Sequence, residues 1–221
     1  TRAACQPLNL SYSYADQTVY AVNDSRIAEE GLTAAVRAFD LASEEVFNQS
    51  YDLDLPPARA QPLVSLAAQE PSTPVWFLDV RLHDSAGAEV ARNFYWLSTE
   101  PDVLDYDNNL WWVTPAKEFA DFTALDDLPE VELEISATGS GDEVEVSLAN
   151  PSDALAFFIE LRVIDGEGNS ILPVLWDDNY ISILPGESRE LTARFPATRN
   201  VSGATLALKG WNVAGATVPL R

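Results

Sequence analysis

Two short runs, V-E-L-E-I-S (131–136) and E-V-E-V-S-L (143–148), switch between apolar and polar at every residue. A period of two is the signature of a half-buried strand, because successive side chains leave opposite faces of the pleat. The A-T-G-S-G-D stretch between them (137–142) predicts a loop, making the pair a β-hairpin. Similar segments follow at turn-punctuated intervals: F-I-E-L-R-V-I (158–164), S-R-E-L-T-A-R-F (188–195) and A-T-L-A-L-K-G-W (204–211). Short strands at that spacing predict a β-sandwich.

The first half carries the same pattern in the same order. V-R-A-F-D (36–40) matches L-R-V-I-D (161–165), and L-P-P-A-R-A-Q-P-L (55–63) matches L-P-G-E-S-R-E-L-T (184–192). Asn23-Asp24-Ser25 matches Asn150-Pro151-Ser152. Three matches at nearly one offset predict two copies of one unit. The first copy would end with the hairpin 76–97, whose turn is D-S-A-G, and the second would begin near Leu128. The expected division is therefore 1–99, a connector 100–127, and 128–221. In the connector, Thr114-Pro115 reads as a helix start, a hydroxyl cap before a first-turn proline. Phe119, Phe122, Leu125 and Leu128 recur every third residue, predicting a short amphipathic helix docked on a neighbour.

A formal net charge of −22 opposes nucleic acid, whose binding depends on Lys and Arg neutralising phosphates. The acids are spread along the chain, as on a solvated acidic surface. No apolar run approaches the roughly 18–20 residues of a membrane span. The single cysteine, Cys5, excludes an intrachain disulfide and a multi-cysteine zinc site.

Catalytic constellations are sparse. The only histidine, His83, ends a strand beside the D-S-A-G turn, so a histidine-based triad has no foundation. Asp105-Tyr106-Asp107-Asn108-Asn109 mimics the start of a calcium loop, but Leu110 stands where the loop needs glycine and Ala116 where it needs a bidentate glutamate. No metal or cofactor is expected. A glycosidase needs two carboxylates about 5–10 Å apart, yet the acids fall mostly at strand positions facing solvent or in turns. Aromatic side chains are the remaining candidates for recognition. Trp76 and Trp96 lie in predicted strands and Trp211 ends one, whereas Trp111, Trp112 and Trp176 occupy loop-like contexts where an indole could stack on a sugar.

The runs A-R-N-F-Y-W-L-S-T (91–99), W-W-V-T-P-A-K-E-F-A-D-F (111–122), L-P-V-L-W-D-D-N-Y-I-S-I-L-P-G-E (172–187) and K-G-W-N (209–212) together resemble the C-terminal part of glycoside hydrolase family 2 enzymes of the exo-β-D-glucosaminidase type, with β-mannosidases as the wider group. The resemblance implies an all-β fold: two tandem immunoglobulin-like sandwiches joined by the docked connector. It also implies a catalytic (β/α)8 barrel elsewhere in the parent enzyme, with both catalytic glutamates on it. This chain alone is then not an enzyme, and its partner is the barrel of its own parent. The parent would perform retaining hydrolysis of chitosan oligosaccharides in an extracellular or periplasmic setting. An independent carbohydrate-binding module and a tandem immunoglobulin-like adhesin are the other readings of the same residues.

Overall fold

The computed structural model describes residues 5–196, 201 and 203–220, and the chain divides into two compact units, 1–127 and 128–221. Each is built around a β-sandwich of the immunoglobulin type.

In the first unit, β1 (Leu8–Ser13), β2 (Thr18–Asn23) and β5 (Arg59–Ser65) form a three-stranded sheet in the order β1-β2-β5. Its partner layer holds β3 (Glu29–Phe39), β4 (Glu45–Leu55), β6 (Val75–His83) and β7 (Glu89–Ser98) in the order β4-β3-β6-β7. Along β3 the alternation is plain: Leu32, Ala34, Val36 and Ala38 are buried and the residues between them only partly so. These side chains meet Leu10, Val19 and Ala21 of the first sheet in one core. Strand β6 is apolar for a different reason. Trp76, Leu78 and Val80 face the core, while the opposite face is covered by Phe94 stacked on Phe77 and by the arginines around Asp79, so Val75 to Val80 are all buried and the run is nearly continuously hydrophobic. The predicted hairpin 76–97 is present, its turn closed by the Asp84 carboxylate, which accepts from Ala86 N and Ala88 N at 2.9 Å each.

The connector is where expectation and structure part. No α-helix opens at Thr114-Pro115. Instead β8 (Val103–Leu104) pairs antiparallel with β9 (Ala116–Glu118), and the only helical geometry in the segment is two 3-10 turns, Tyr106–Asn108 and Thr123–Asp127. The three-residue spacing of the apolar side chains explains part of the misreading. It matches the three residues per turn of a 3-10 helix better than the 3.6 of an α-helix. Leu125 and Leu128 are buried and Phe122 half-buried, while Phe119 is 78% exposed, so no single stripe forms.

The second unit stacks β10 (Glu134–Ser140), β11 (Glu143–Ala149), β15 (Ser188–Arg194) and β13 (Leu175–Trp176), in the order β10-β11-β15-β13, over β14 (Ile181–Ile183), β12 (Ala156–Ile164), β16 (Thr205–Lys209) and β17 (Ala216–Pro219), in the order β14-β12-β16-β17. Its core runs through Val144, Val146, Leu148, Ile159, Leu161, Val163, Leu191 and Leu206. The β10–β11 hairpin is tighter than its sequence suggests. Ser140 still pairs with Glu143, leaving only Gly141 and Asp142 in the turn, and Gly141 supplies the left-handed conformation at φ 64°. Strand β10 also starts later than the alternation does. Val131 is bridged to Val213 in parallel rather than lying in the hairpin.

The repeat is visible in hydrogen bonds. Asn23 is fully buried and its Nδ2 donates to Ile27 O (2.8 Å) and Leu55 O (3.0 Å), while Oδ1 accepts from Ser25 N. Asn150 repeats this: Nδ2 donates to Ala154 O (2.8 Å) and Ile183 O (3.0 Å), and Oδ1 accepts from Ser152 N. Asp40 closes its turn by accepting from Ala42 N and Glu44 N, and Asp165 by accepting from Glu167 N and Asn169 N.

Candidate functional site

Within the first unit, segment 103–118 forms a hairpin-like arm. Asp105 anchors it: its backbone N donates to Pro115 O at 2.8 Å, and its carboxylate accepts from Asn108 N and Asn108 Nδ2. Those contacts, the Asn108 side-chain donor foremost, hold the Asp105 carboxyl below its ordinary value. Lys117 Nζ lies 3.3 Å from Asp105 and 3.5 Å from Asp107. The acids that begin like a calcium loop thus meet a lysine, and among the described residues no group of three His, Cys, Asp or Glu side chains converges to hold a metal ion. At the far end, Leu110 and Val113 exchange backbone hydrogen bonds, which leaves Trp111 and Trp112 as the two tip residues.

The predicted sugar-contact tryptophans therefore separate. Trp111 is 91% and Trp112 63% exposed, with their rings edge-on at 4.9 Å. Trp176, expected in a loop, lies in the short edge strand β13 of the second unit, half-buried against that unit's own core. Its partner is the register Trp176–Ala193, a long-range pairing that local sequence does not reveal. Trp76 is in the core at 7% exposure, as its strand position predicts. Trp211 is 54% exposed in the bend after β16, an exposure that its place at the end of an apolar strand concealed.

A second feature of the first unit comes from residues the sequence reading did not gather. A concavity of about 540 Å³ is lined by Tyr12, Tyr14, Trp76, Trp96 and Phe122, with Gln17, Gln69, Ser98, Thr99 and Asp102 interspersed. Tyr12 and Tyr14 stand edge-on at 5.1 Å. Tyr12 is fixed from its backbone, whose N–H donates to Tyr95 Oη at 3.1 Å. Burial, followed by the neighbouring Tyr14 and Asp16, pushes the Tyr12 phenol up to about 12. Asp102, also in the lining, accepts from Ala120 N at 2.9 Å, joining the start of the arm to its return. The one readable hint was Y-S-Y at 12–14, where alternate positions place two phenols on one side. Trp96, Asp102 and Phe122 come from separate segments that only the fold assembles.

The second unit has a smaller concavity, about 250 Å³, over β12, β16 and β17. Its Glu160 is engaged by Lys209 Nζ (3.3 Å) and by the Tyr180 hydroxyl (3.1 Å). In the first unit Asp79, fully buried, receives Arg37 Nη2 at 2.6 Å, Arg81 Nε at 2.8 Å and Arg92 Nε at 3.1 Å. The buried carboxylate is thus held by three partly buried cations, which tie β3, β6 and β7 together.

Comparison with known proteins finds two family matches separated at residues 100–110, the second of which takes in the end of the first unit. Residues 16–99 match the family model described as Mannosidase Ig/CBM-like domain, and residues 111–213 the one described as Exo-beta-D-glucosaminidase Ig-fold domain. The chain is similar to the exo-beta-D-glucosaminidase of Arthroderma benhamiae, 33% identical over 91% of this chain and 23% of that protein. It is similar also to that of Streptomyces avermitilis, 32% identical over 99% of this chain and 25% of that protein. Among solved structures, the Amycolatopsis orientalis exo-chitosanase CsxA superposes with a TM-score of 0.89 at 31% identity, covering 99% of this chain and 27% of that one. The chain spans about a quarter of the length of the curated relatives it matches.

Proposed function

This chain belongs, by its matches over residues 16–99 and 111–213, to the Mannosidase Ig/CBM-like and exo-β-D-glucosaminidase Ig-fold families, and on that premise we propose that it is the non-catalytic C-terminal portion of a retaining family 2 glycoside hydrolase. The parent activity that fits is an exo-β-D-glucosaminidase removing single glucosamine units from chitosan oligosaccharides, with a β-mannosidase as the second choice. The observation that carries this reading is the superposition of nearly the whole chain on about a quarter of a chitosan-degrading relative. The acidic surface is suited to a polycationic substrate, which it would concentrate by long-range attraction. Such a polymer is met outside the cytoplasm, which keeps the proposed location extracellular or periplasmic.

The exposed arm supplies the contact through which this portion joins the catalytic barrel. Of the fifteen exposed large hydrophobic side chains among the described residues, eight lie between Val103 and Phe119. Apolar groups concentrated in that way mark an interaction surface rather than ordinary solvent-facing scatter. Tyr106, Trp111 and Trp112 are residue types enriched at the buried centres of protein interfaces. The exposed indole pair also favours a second reading, direct sugar contact by Trp111 and Trp112, to which the half-buried Trp176 adds less.

The test is direct. The 221-residue chain should melt cooperatively and release no chromophore from a chromogenic β-D-glucosaminide, while the full-length protein should turn it over. Turnover by the isolated chain would overturn the non-catalytic assignment. Retention on chitosan that disappears on Trp111→Ala or Trp112→Ala would move the arm from docking to sugar contact.

A further inference from the structure

The concavity of the first unit has the chemistry of a ligand site. Its volume, about 540 Å³, falls in the range of small-molecule pockets, and it mixes aromatic walls with a few convergent polar groups. Among the described residues the lining contains one carboxylate, Asp102, and no Lys, Arg or His. Asp16 lies close enough to raise the Tyr12 phenol, so a second carboxylate contributes to the field on the tyrosine side. An anion would meet carboxylate repulsion and no cationic partner among these described residues. A purely apolar ligand would take the Gln17 and Gln69 amides, and the part of the Asp102 carboxylate not bonded to Ala120 N, away from water without replacing those hydrogen bonds. A cation beside tyrosine and tryptophan faces is attracted by the ring quadrupoles as well as by the carboxylates. Hydroxyl groups on the same ligand would find the amides and the Ser98 and Thr99 hydroxyls. One ligand class meets all of these demands: a compact, hydroxyl-rich ring carrying an ammonium group.

We infer that this cleft binds one unit of a cationic amino sugar, its ammonium directed to Asp102 and a ring face laid on the exposed ring of Tyr14. The charge and hydroxyl character of the ligand come from the cleft itself. Its identity as β-linked glucosamine rests on the proposed function above.

The experiment titrates the 221-residue chain, and in parallel the full-length protein, with the tetramer of β-1,4-linked glucosamine, reading tryptophan fluorescence and calorimetric heat. The N-acetylated tetramer serves as the uncharged comparator. Saturable binding is expected, with the acetylated tetramer roughly fivefold or more weaker, the size of a lost cation–aromatic contact. Tyr14→Ala, at a side chain 66% exposed, and Asp102→Asn, which keeps an acceptor for Ala120 N, should each weaken binding by a similar factor at unchanged melting temperature. The inference is overturned by absence of saturable binding up to millimolar tetramer, by equal affinity for the acetylated tetramer, or by indifference to both cleft variants. Binding by the 221-residue chain that vanishes in the full-length protein would also overturn it, showing that another segment fills the cleft. Hydrolysis of the chromogenic β-D-glucosaminide by the full-length protein is scored separately. Hydrolysis without cleft binding removes this inference alone, and hydrolysis confined to mannosides removes the glucosaminidase reading.

Discussion

The two sandwiches share a frame and differ in the polar group at its centre. Asn23 and Asn150 make the same buried hydrogen bonds at matching places, tying a loop to the end of a strand in each unit. Beyond that, the first unit buries a charge, Asp79, among three arginines drawn from β3, β6 and β7. The second uses a neutral amide. Asn212 Nδ2 donates to Pro129 O and Leu155 O at 2.7 Å each, and Oδ1 accepts from Phe157 N at 2.8 Å. A repeated fold therefore preserves the local device that closes each sandwich, and leaves each copy free to satisfy its interior in its own way. The first copy depends on a buried carboxylate shared by three arginines, the second on a fully hydrogen-bonded amide.

The largest effect should come from breaking the charged centre. Asp79→Ala leaves three guanidinium groups facing one another with their shared carboxylate gone, and should destabilise the first unit by about 3–5 kcal/mol. Amide exchange resolved along the chain would show protection lost in β3, β6 and β7 and retained in β11 and β12. Loss spread evenly over both units would contradict the separation into two cores.

Asn212→Ala should cost the second unit about 2–3 kcal/mol, because two carbonyls and one N–H are left buried without partners. Its effect should fall on the second unit alone. The matched pair Asn23→Ala and Asn150→Ala sharpens the comparison further. Each removes two carbonyl contacts of nearly equal length, so each should cost about 1–3 kcal/mol, and the two values should agree within a few tenths by urea unfolding with unit-specific probes. A large disagreement would mean that the shared geometry hides different local relaxation.

Much of this architecture was legible because strands announce themselves locally. Alternation at 143–148 and 158–164, and turn signals such as D-S-A-G, depend on neighbours a few residues apart, and the matched Asn-x-Ser segments pointed to a device that the hydrogen bonds then displayed. The arm was misread for the converse reason. Thr114-Pro115 is a sound helix start by local chemistry, but pairing of Leu104 with Ala116 is decided across the arm, by the Asp105 contacts and the turn at Leu110–Val113. Exposure of Trp111 and Trp112 could be read from their setting, whereas Trp176 and Trp211 needed the strand register and the bend to be known. The cleft was the least legible feature, since its walls come from β1, β6, β7 and the arm's return, segments more than a hundred residues apart at the extremes.

The smallest expected effect concerns the turns shared by the two units, and it depends on pH. In the second unit the Asp165 carboxylate accepts from Asn169 N and Glu167 N, at 2.9 Å each, and these donors, the Asn169 backbone first, hold its carboxyl below the ordinary value. Ionised Asp165 is thus favoured by the folded turn over the unfolded chain. The stabilisation is fully present above the unfolded aspartate value of about 3.9 and disappears as pH falls through the lower folded value. The carbon-13 shift of the Asp165 carboxyl should titrate with a midpoint below the ordinary one. Asp165→Asn supplies the same acceptor geometry without a titrating group, so the protection of the Glu167 and Asn169 amides, corrected for intrinsic exchange, should lose its acid dependence while persisting at neutral pH. A midpoint at or above the ordinary aspartate value, or acid-sensitive protection that survives in Asp165→Asn, would show that the turn is held by its two glycines, Gly166 and Gly168, rather than by the charge on its first residue.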